Sequence, residues 1–227
     1  MWSKFEVQMD FLTKLCGSVP SDPLMVKKWL EARKPANRPP DSKSIDEVAA
    51  EVLESAPEEI EASTLIFQRQ EGGLVVRLAT IRAHLKDCAR TLSRLWVGKV
   101  EKEASFAVKV LNCVYYDPAV YWLPILSQVD DKQAREPTGT LDKAVHAMTP
   151  RGMISALKTY EYVENARLRV PLLVMTAKSG RLSISEDDLS SLFSYGGVHG
   201  YAGERSDGEG RYVATIKRTE ALEAPKN

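Results

Sequence analysis

Six of the 13 glycines in this 227-residue chain fall between positions 193 and 216. They are Gly196, Gly197, Gly200, Gly203, Gly208 and Gly210. Glycine lacks a Cβ, so each marks a place where the backbone can take positive φ or where another backbone or a phosphate can come close. The run follows a helix-like segment, 186–195, and leads into a strand-like one, 211–218. A dinucleotide fingerprint or a P-loop does the reverse: it leaves a strand and opens a helix, and a P-loop also carries Gly-Lys-Ser/Thr, which is missing here. The expectation is therefore no cofactor. A glycine-rich loop that carries Arg205 and Arg211 suits an extended anion such as a nucleic-acid backbone. Glu204, Asp207 and Glu209 would oppose phosphate unless they point away from it.

Periodicity places the rest. Residues 4–12 alternate, with Phe5, Val7, Met9 and Phe11 on one side and Lys4, Glu6, Gln8 and Asp10 on the other, which predicts a half-buried strand. Asp22 and Pro23 start a helix reaching about Arg33. Prolines at 35, 39 and 40 make 33–43 a loop, with Lys28, Arg33, Lys34 and Arg38 on or beside it. Ser44 and Glu47 form a capping box for a second helix, 44–61, whose polar face is acidic. The segments 64–70 and 74–79 flank Glu71-Gly72-Gly73, a hairpin signal. The longest predicted helix is 81–97, with an apolar stripe of Ile81, Leu85, Cys88, Ala89, Leu92, Leu95 and Trp96. Arg82, Lys86, Arg90 and Arg94 recur every four residues on another face, either a solvated surface or a ridge facing phosphate. Residues 105–116 read as a strand. Residues 127–149 are polar and patternless, a long loop. A strand follows at 166–177, where Pro171 suggests an edge or a bulge. Ser185 and Asp188 cap the last helix, 186–194.

Strand 4–12, helix 81–97, strands 105–116 and 166–177, helix 186–194 and strand 211–218 give the order βαββαβ. The predicted fold is α+β: a ferredoxin-like (RRM-like) core in one domain, 1–227, with insertions at about 13–79 and 117–165 and a C-terminal glycine-rich loop. The core Arg205-Ser206-Asp207-Gly208-Glu209-Gly210-Arg211 ahead of a strand resembles the signature of the RAMP superfamily, the ferredoxin-like RNA-binding proteins of CRISPR effector complexes. The segment 79–90 is similar to the start of the first RAMP helix, with Ala83 where glycine is common. The segment 160–170 is similar to the turn into the third core strand, with Asn165 in a glycine's place. Both insertions lie outside the resemblance.

The resemblance implies an RNA-binding backbone or end-capping subunit of a CRISPR-type ribonucleoprotein of antiviral defence, or a phage-encoded relative of one. Its RNA would be single-stranded, a guide RNA among the options, and its other partners would be protein subunits or copies of itself. The implied RNA-binding residues are Gly197, Gly200, Gly203, Arg205, Ser206, Gly208, Gly210 and Arg211 of the loop, Arg82, Lys86, Arg90 and Arg94 of the helix, and Tyr201 as a base-stacking aromatic. Tyr195 and Tyr212 also bracket the loop.

Two other readings stay open. One is a metal-independent ribonuclease using His199 as general acid or base, for which the sequence identifies no partner acid. The other is a viral protein-interaction module, supported by the acidic 44–61 helix. His84 and Cys88, one turn apart, supply too few ligands for a zinc site, and Asp130-Asp131 is a solvated pair unless it holds a divalent ion. No metal is expected.

Lys+Arg and Asp+Glu both number 31, so the net charge is zero and a basic surface requires charge to be segregated. Cys16, Cys88 and Cys113 form no disulfide framework, which points to a reducing, cytoplasmic setting. No apolar run approaches the ~20 residues of a membrane span.

Overall fold

The computed structural model describes residues 2–20, 64–95, 106–116, 120–149, 152–176 and 183–222. The predicted helices at 22–33 and 44–61 and the loop 33–43 lie outside these residues. In chain order the elements are β1 (Trp2–Phe11), β2 (Leu15–Cys16), β3 (Val19–Pro20), β4 (Leu65–Ile66), β5 (Gln68–Gln70), β6 (Gly73–Arg77) and α1 (Leu78–Leu95). There follow α2 (Phe106–Cys113), β7 (Val114–Tyr116), β8 (Trp122–Pro124), β9 (Leu126–Ser127), β10 (Gly139–Thr149), β11 (Gly152–Val163), β12 (Ala166–Met175), α3 (Glu186–His199) and β13 (Tyr212–Leu222). The protein is a mixed α+β structure. Among the described residues no helix is long and apolar enough to cross a membrane.

Two compact units share these elements. One draws on Met1–Leu15, Val76–Gln133 and Glu164–Asn227, the other on Cys16–Val75 and Ala134–Val163. The second unit falls within the two segments that interrupt the predicted βαββαβ order.

The first unit is built on an antiparallel sheet ordered β13–β1–β12–β7, with β9 also paired to β12. The alternation in β1 does what it predicts. Phe5, Val7, Met9 and Phe11 are buried, and Phe5, Val7 and Met9 stand opposite the equally buried Leu172, Val170 and Leu168 of β12. Against this face lie Ile81, Leu85, Cys88, Ala89 and Leu92 of α1 and Leu189, Leu192 and Phe193 of α3, all buried. Each fully buried large aliphatic or aromatic side chain contributes about 1.5–3 kcal/mol of transfer free energy. α3 starts with a complete capping box between Ser185 and Asp188.

Three local predictions give way to tertiary structure. Residues 106–113 are helical rather than extended: Phe106, Val110 and Cys113, spaced i, i+4, i+7, are the buried ones, and only 114–116 form a strand. A short apolar run fits both periods, and packing of α2 on α1 selects the helical one. Residues 139–149, expected within a loop, form β10, which pairs with β11 from Gly139↔Tyr162 to Thr149↔Gly152. Backbone pairing with a neighbouring strand stabilises a segment whose own apolar pattern is weak. β12 is flanked on both sides; Pro171 falls between its pairings with β9 (Ala166, Arg167) and β7 (Leu172 to Val174), a stretch where a missing N–H costs nothing on that side.

In the second unit the hairpin is as predicted: Gln70 pairs with Gly73 across Glu71 and Gly72, which take φ of 51° and 75°. β10–β11–β4–β3 form its main sheet. Glu161 is buried there and accepts from the Phe67 amide (2.8 Å) and from Arg69 Nη2 (2.8 Å).

Candidate nucleic-acid interface

The glycine run is only half loop. α3 continues through Gly196 and Gly197 to His199, and Gly200, at φ 83°, closes the helix with its N–H on the Gly196 carbonyl. A Cβ on Gly197 would lie 2.2 Å from the Tyr212 carbonyl oxygen, and one on Gly196 would lie 2.3 Å from the Tyr212 hydroxyl. These two glycines let α3 sit directly on β13. Beyond the helix the chain doubles back through a 3-10 turn at Arg205–Asp207. The Tyr201 N–H donates to the Gly210 carbonyl (2.8 Å), and a Cβ on Gly210 would lie 1.9 Å from the Tyr201 carbonyl oxygen.

The loop is sewn to itself and to residues 12–14. The N–H groups of Asp207 and Glu209 donate to the Glu204 carbonyl, that of Gly208 to Arg205, that of Gly210 to Lys14 and that of Arg211 to Thr13 Oγ1. The amides of 207–211 are thus committed within the protein and do not form a phosphate cradle. Glu209 is turned inward and accepts from the Lys14 amide (2.8 Å). Anion recognition at this loop falls to side chains, and Arg211, whose guanidinium lies over Gly208, is exposed.

The loop packs on α1 along the line Thr80, His84, Asp87. Tyr201 is 2% exposed, and its hydroxyl bonds to Thr80 Oγ1. It presents no face to a base, so its predicted stacking role is corrected to a packing one. Tyr212 is likewise buried and shares a 3.0 Å hydrogen bond with His84 Nε2. Burial, then the charges of Arg205 and His199, lower the His84 pKa from 6.5 to about 3. Cys88, beneath the ring, is pushed up to about 12, chiefly by burial, and stays a thiol.

At the surface end of this line Asp87 collects two partners. Its Oδ2 lies 3.3 Å from His199 Nε2 and 3.2 Å from Arg205 Nη1, and Arg205 Nη1 lies 3.0 Å from His199 Nε2. Partial burial works to raise the Asp87 pKa, but hydrogen bonds from Arg205 and His199 outweigh it and hold the carboxyl below the usual range. The His199 ring stacks between Tyr195 (5.7 Å) and His84 (6.4 Å). Asp87 is the member of this cluster that the sequence analysis does not single out. It lies between cations on the helix, and only the fold shows that the last turn of α3 comes to rest over it.

Cations divide by location. On the open face of the main sheet three are matched: Arg167 with Asp10 and Asp131, Arg169 with Asp131 (2.6 Å), and Lys4 with Glu220 (2.8 Å). Hydrogen bonds from Arg167 and Arg169 hold Asp131 below the normal carboxyl range, so this aspartate serves as an anchor for two arginines. On α1 the exposed Arg82 and Arg90 and the half-buried Lys86 have no ion-pair partner among the described residues. The side chain of Arg94 lies outside the described residues. The structure therefore brings Arg205 to α1, onto Asp87, while Ser206 and Arg211 remain on the exposed part of the loop. Gly197 and Gly210 face protein rather than solvent. No protein-family model matches the chain, and no curated protein matches it significantly.

Proposed function

We propose that this chain is an RNA-binding protein of RAMP type with a ferredoxin-like core, acting as a backbone or capping subunit of a CRISPR-type ribonucleoprotein or as a phage-encoded relative. The fold part of this reading is supported by strand order. Taken in sequence, the strands of the main sheet stand as fourth, first, third, second, with α1 in the first crossover and α3 in the second. The observation that carries the RNA-binding part is the segregation of unmatched charge. Arg82, Lys86 and Arg90 line one face of α1, and Arg211 stands on the loop packed against that helix, whereas the sheet face is neutralised by its own carboxylates. Cations without an ion-pair partner on α1 and on the loop beside it would attract a polyanion to that side.

The test is a set of binding isotherms on a short single-stranded RNA at two salt concentrations. Replacing Arg82, Lys86 and Arg90 together by alanine should weaken binding at least tenfold and flatten the salt dependence, each lost contact removing about 0.7 from the log–log slope for a single strand. The variant Arg169→Ala, on the sheet face, should bind like wild type. Equal losses from the two faces, or no binding by folded wild-type protein at low salt, would refute the reading.

The His199–Asp87–Arg205 group favours a second reading, a metal-independent ribonuclease. A histidine beside a carboxylate that orients it and an arginine that can meet a phosphate has the parts of an acid–base site. Here His199→Ala should leave RNA affinity nearly intact and abolish cleavage; wild-type protein that binds RNA without cutting it would exclude this role.

A further inference from the structure

We propose that Arg77, Tyr121 and Trp122 form a separate site for one unpaired nucleotide, its base stacked on Tyr121 and its phosphate held by Arg77. The inference rests on the RNA-binding reading and extends it to residues outside the glycine run and the α1 ridge. Arg77 ends β6 and directly precedes α1. Its Cζ lies 5.5 Å from the Tyr121 ring centroid and 5.3 Å from that of Trp122. The two rings meet edge to face at 4.9 Å and 86°, so the guanidinium sits in a corner of π surface.

That corner holds the cation but offers no acceptor for its N–H groups. Among the described residues no carboxylate or carbonyl meets the guanidinium, and its Nε is buried without a hydrogen-bond partner. Arg69, Arg167, Arg169, Arg205 and Arg218, by contrast, each reach a carboxylate. Buried donors without acceptors are rare in native proteins, and a planar guanidinium fixed by stacking is preorganised for phosphate. Tyr121 remains 53% exposed, an aromatic surface that accepts any base. The Leu78 amide donates to the Tyr121 carbonyl (3.0 Å), which ties the aromatic pair to the start of α1. The first turn of α1 carries no acidic residue, so nothing there repels a phosphate. Arg82 follows Arg77 by five residues, on α1 itself.

The experiment uses the full chain and a short single-stranded oligouridylate at low salt. Tyr121→Ala should weaken binding about tenfold, within the range for loss of one base–aromatic stack. Tyr121→Phe, which keeps the ring, should restore wild-type affinity. Arg77→Lys should lower affinity with an unchanged salt slope, because the charge remains while the planar fork is lost. A thiouridine-substituted oligonucleotide should crosslink to the peptide containing Tyr121 and Trp122. If RNA binds and Arg90→Ala weakens it, but Tyr121→Ala binds like wild type and the adducts lie elsewhere, this site is overturned and the general reading stands. If Tyr121→Phe loses as much as Tyr121→Ala, stacking is refuted. If folded wild-type protein binds no RNA, both fall together.

Discussion

His84 shows how much a single side chain can depend on its surroundings. Buried against Tyr212 and beside Arg205 and His199, it refuses a proton until about pH 3, whereas in the unfolded chain it accepts one near 6.5. The unfolded state therefore binds more protons than the native state between these values, and stability falls as pH falls through this window. At ~1.36 kcal/mol per pH unit, acidification from pH 6.5 to about 5 should remove roughly 2 kcal/mol on account of this residue. Denaturant unfolding of wild type and His84→Gln at neutral and mildly acidic pH checks this: the variant should show a clearly shallower pH dependence. Gly210 makes a different demand. It has φ 73°, and an added Cβ would lie 1.9 Å from the Tyr201 carbonyl oxygen. Gly210→Ala combines left-handed backbone with a backbone clash and should cost about 3 kcal/mol or more. A thermal melt matching wild type would show that the loop can open without loss.

Among the elements, α3 and β13 are shaped by the same glycines that suggested a ligand loop. Gly196 and Gly197 serve helix-on-strand contact, and Gly200 and Gly210 serve the doubling back of the chain. Glycine's two uses, close approach of a phosphate and close approach of a protein backbone, look alike in sequence, and only the packing tells them apart. The β5–β11 link makes a prediction of its own. Arg69 meets the buried Glu161 at 2.8 Å, with side-chain exposures of 15% and 4%. Arg69→Met leaves that carboxylate buried without its cation and should cost about 3–5 kcal/mol. Pairing it with Glu161→Gln should recover much of the loss, because the uncompensated charge goes. A double variant no more stable than Arg69→Met would argue that packing of the arginine stem, rather than charge, is what matters.

For the whole molecule, a net charge of zero conceals an asymmetry between faces. The sheet face carries matched pairs and α1 carries unmatched cations. On the proposed RNA-binding reading, affinity should follow α1 substitutions and ignore sheet-face ones, even when both remove the same formal charge. Arg90→Ala and Arg169→Ala, compared at equal ionic strength, separate local potential from net charge; identical effects would mean that only net charge counts.

The sequence by itself determined β1, α1, the 71–73 hairpin turn and the capped start of α3, because each carries a strong local signal: strict alternation, a sustained 3.6-residue stripe, consecutive turn residues, or a capping box. It also placed the glycine run between a helix and a strand. Tertiary structure alone decided that 106–113 is a helix: Phe106, Val108, Val110 and Asn112 fit a strand's period, while Phe106, Val110 and Cys113 fit a helix's, and packing on α1 selects the second. It alone made a strand of 139–149, whose stability lies in hydrogen bonds to β11. And it alone joined Asp87, His199 and Arg205, which are more than a hundred residues apart in sequence between helix and loop and meet because α3 and α1 pack on the same face of one sheet.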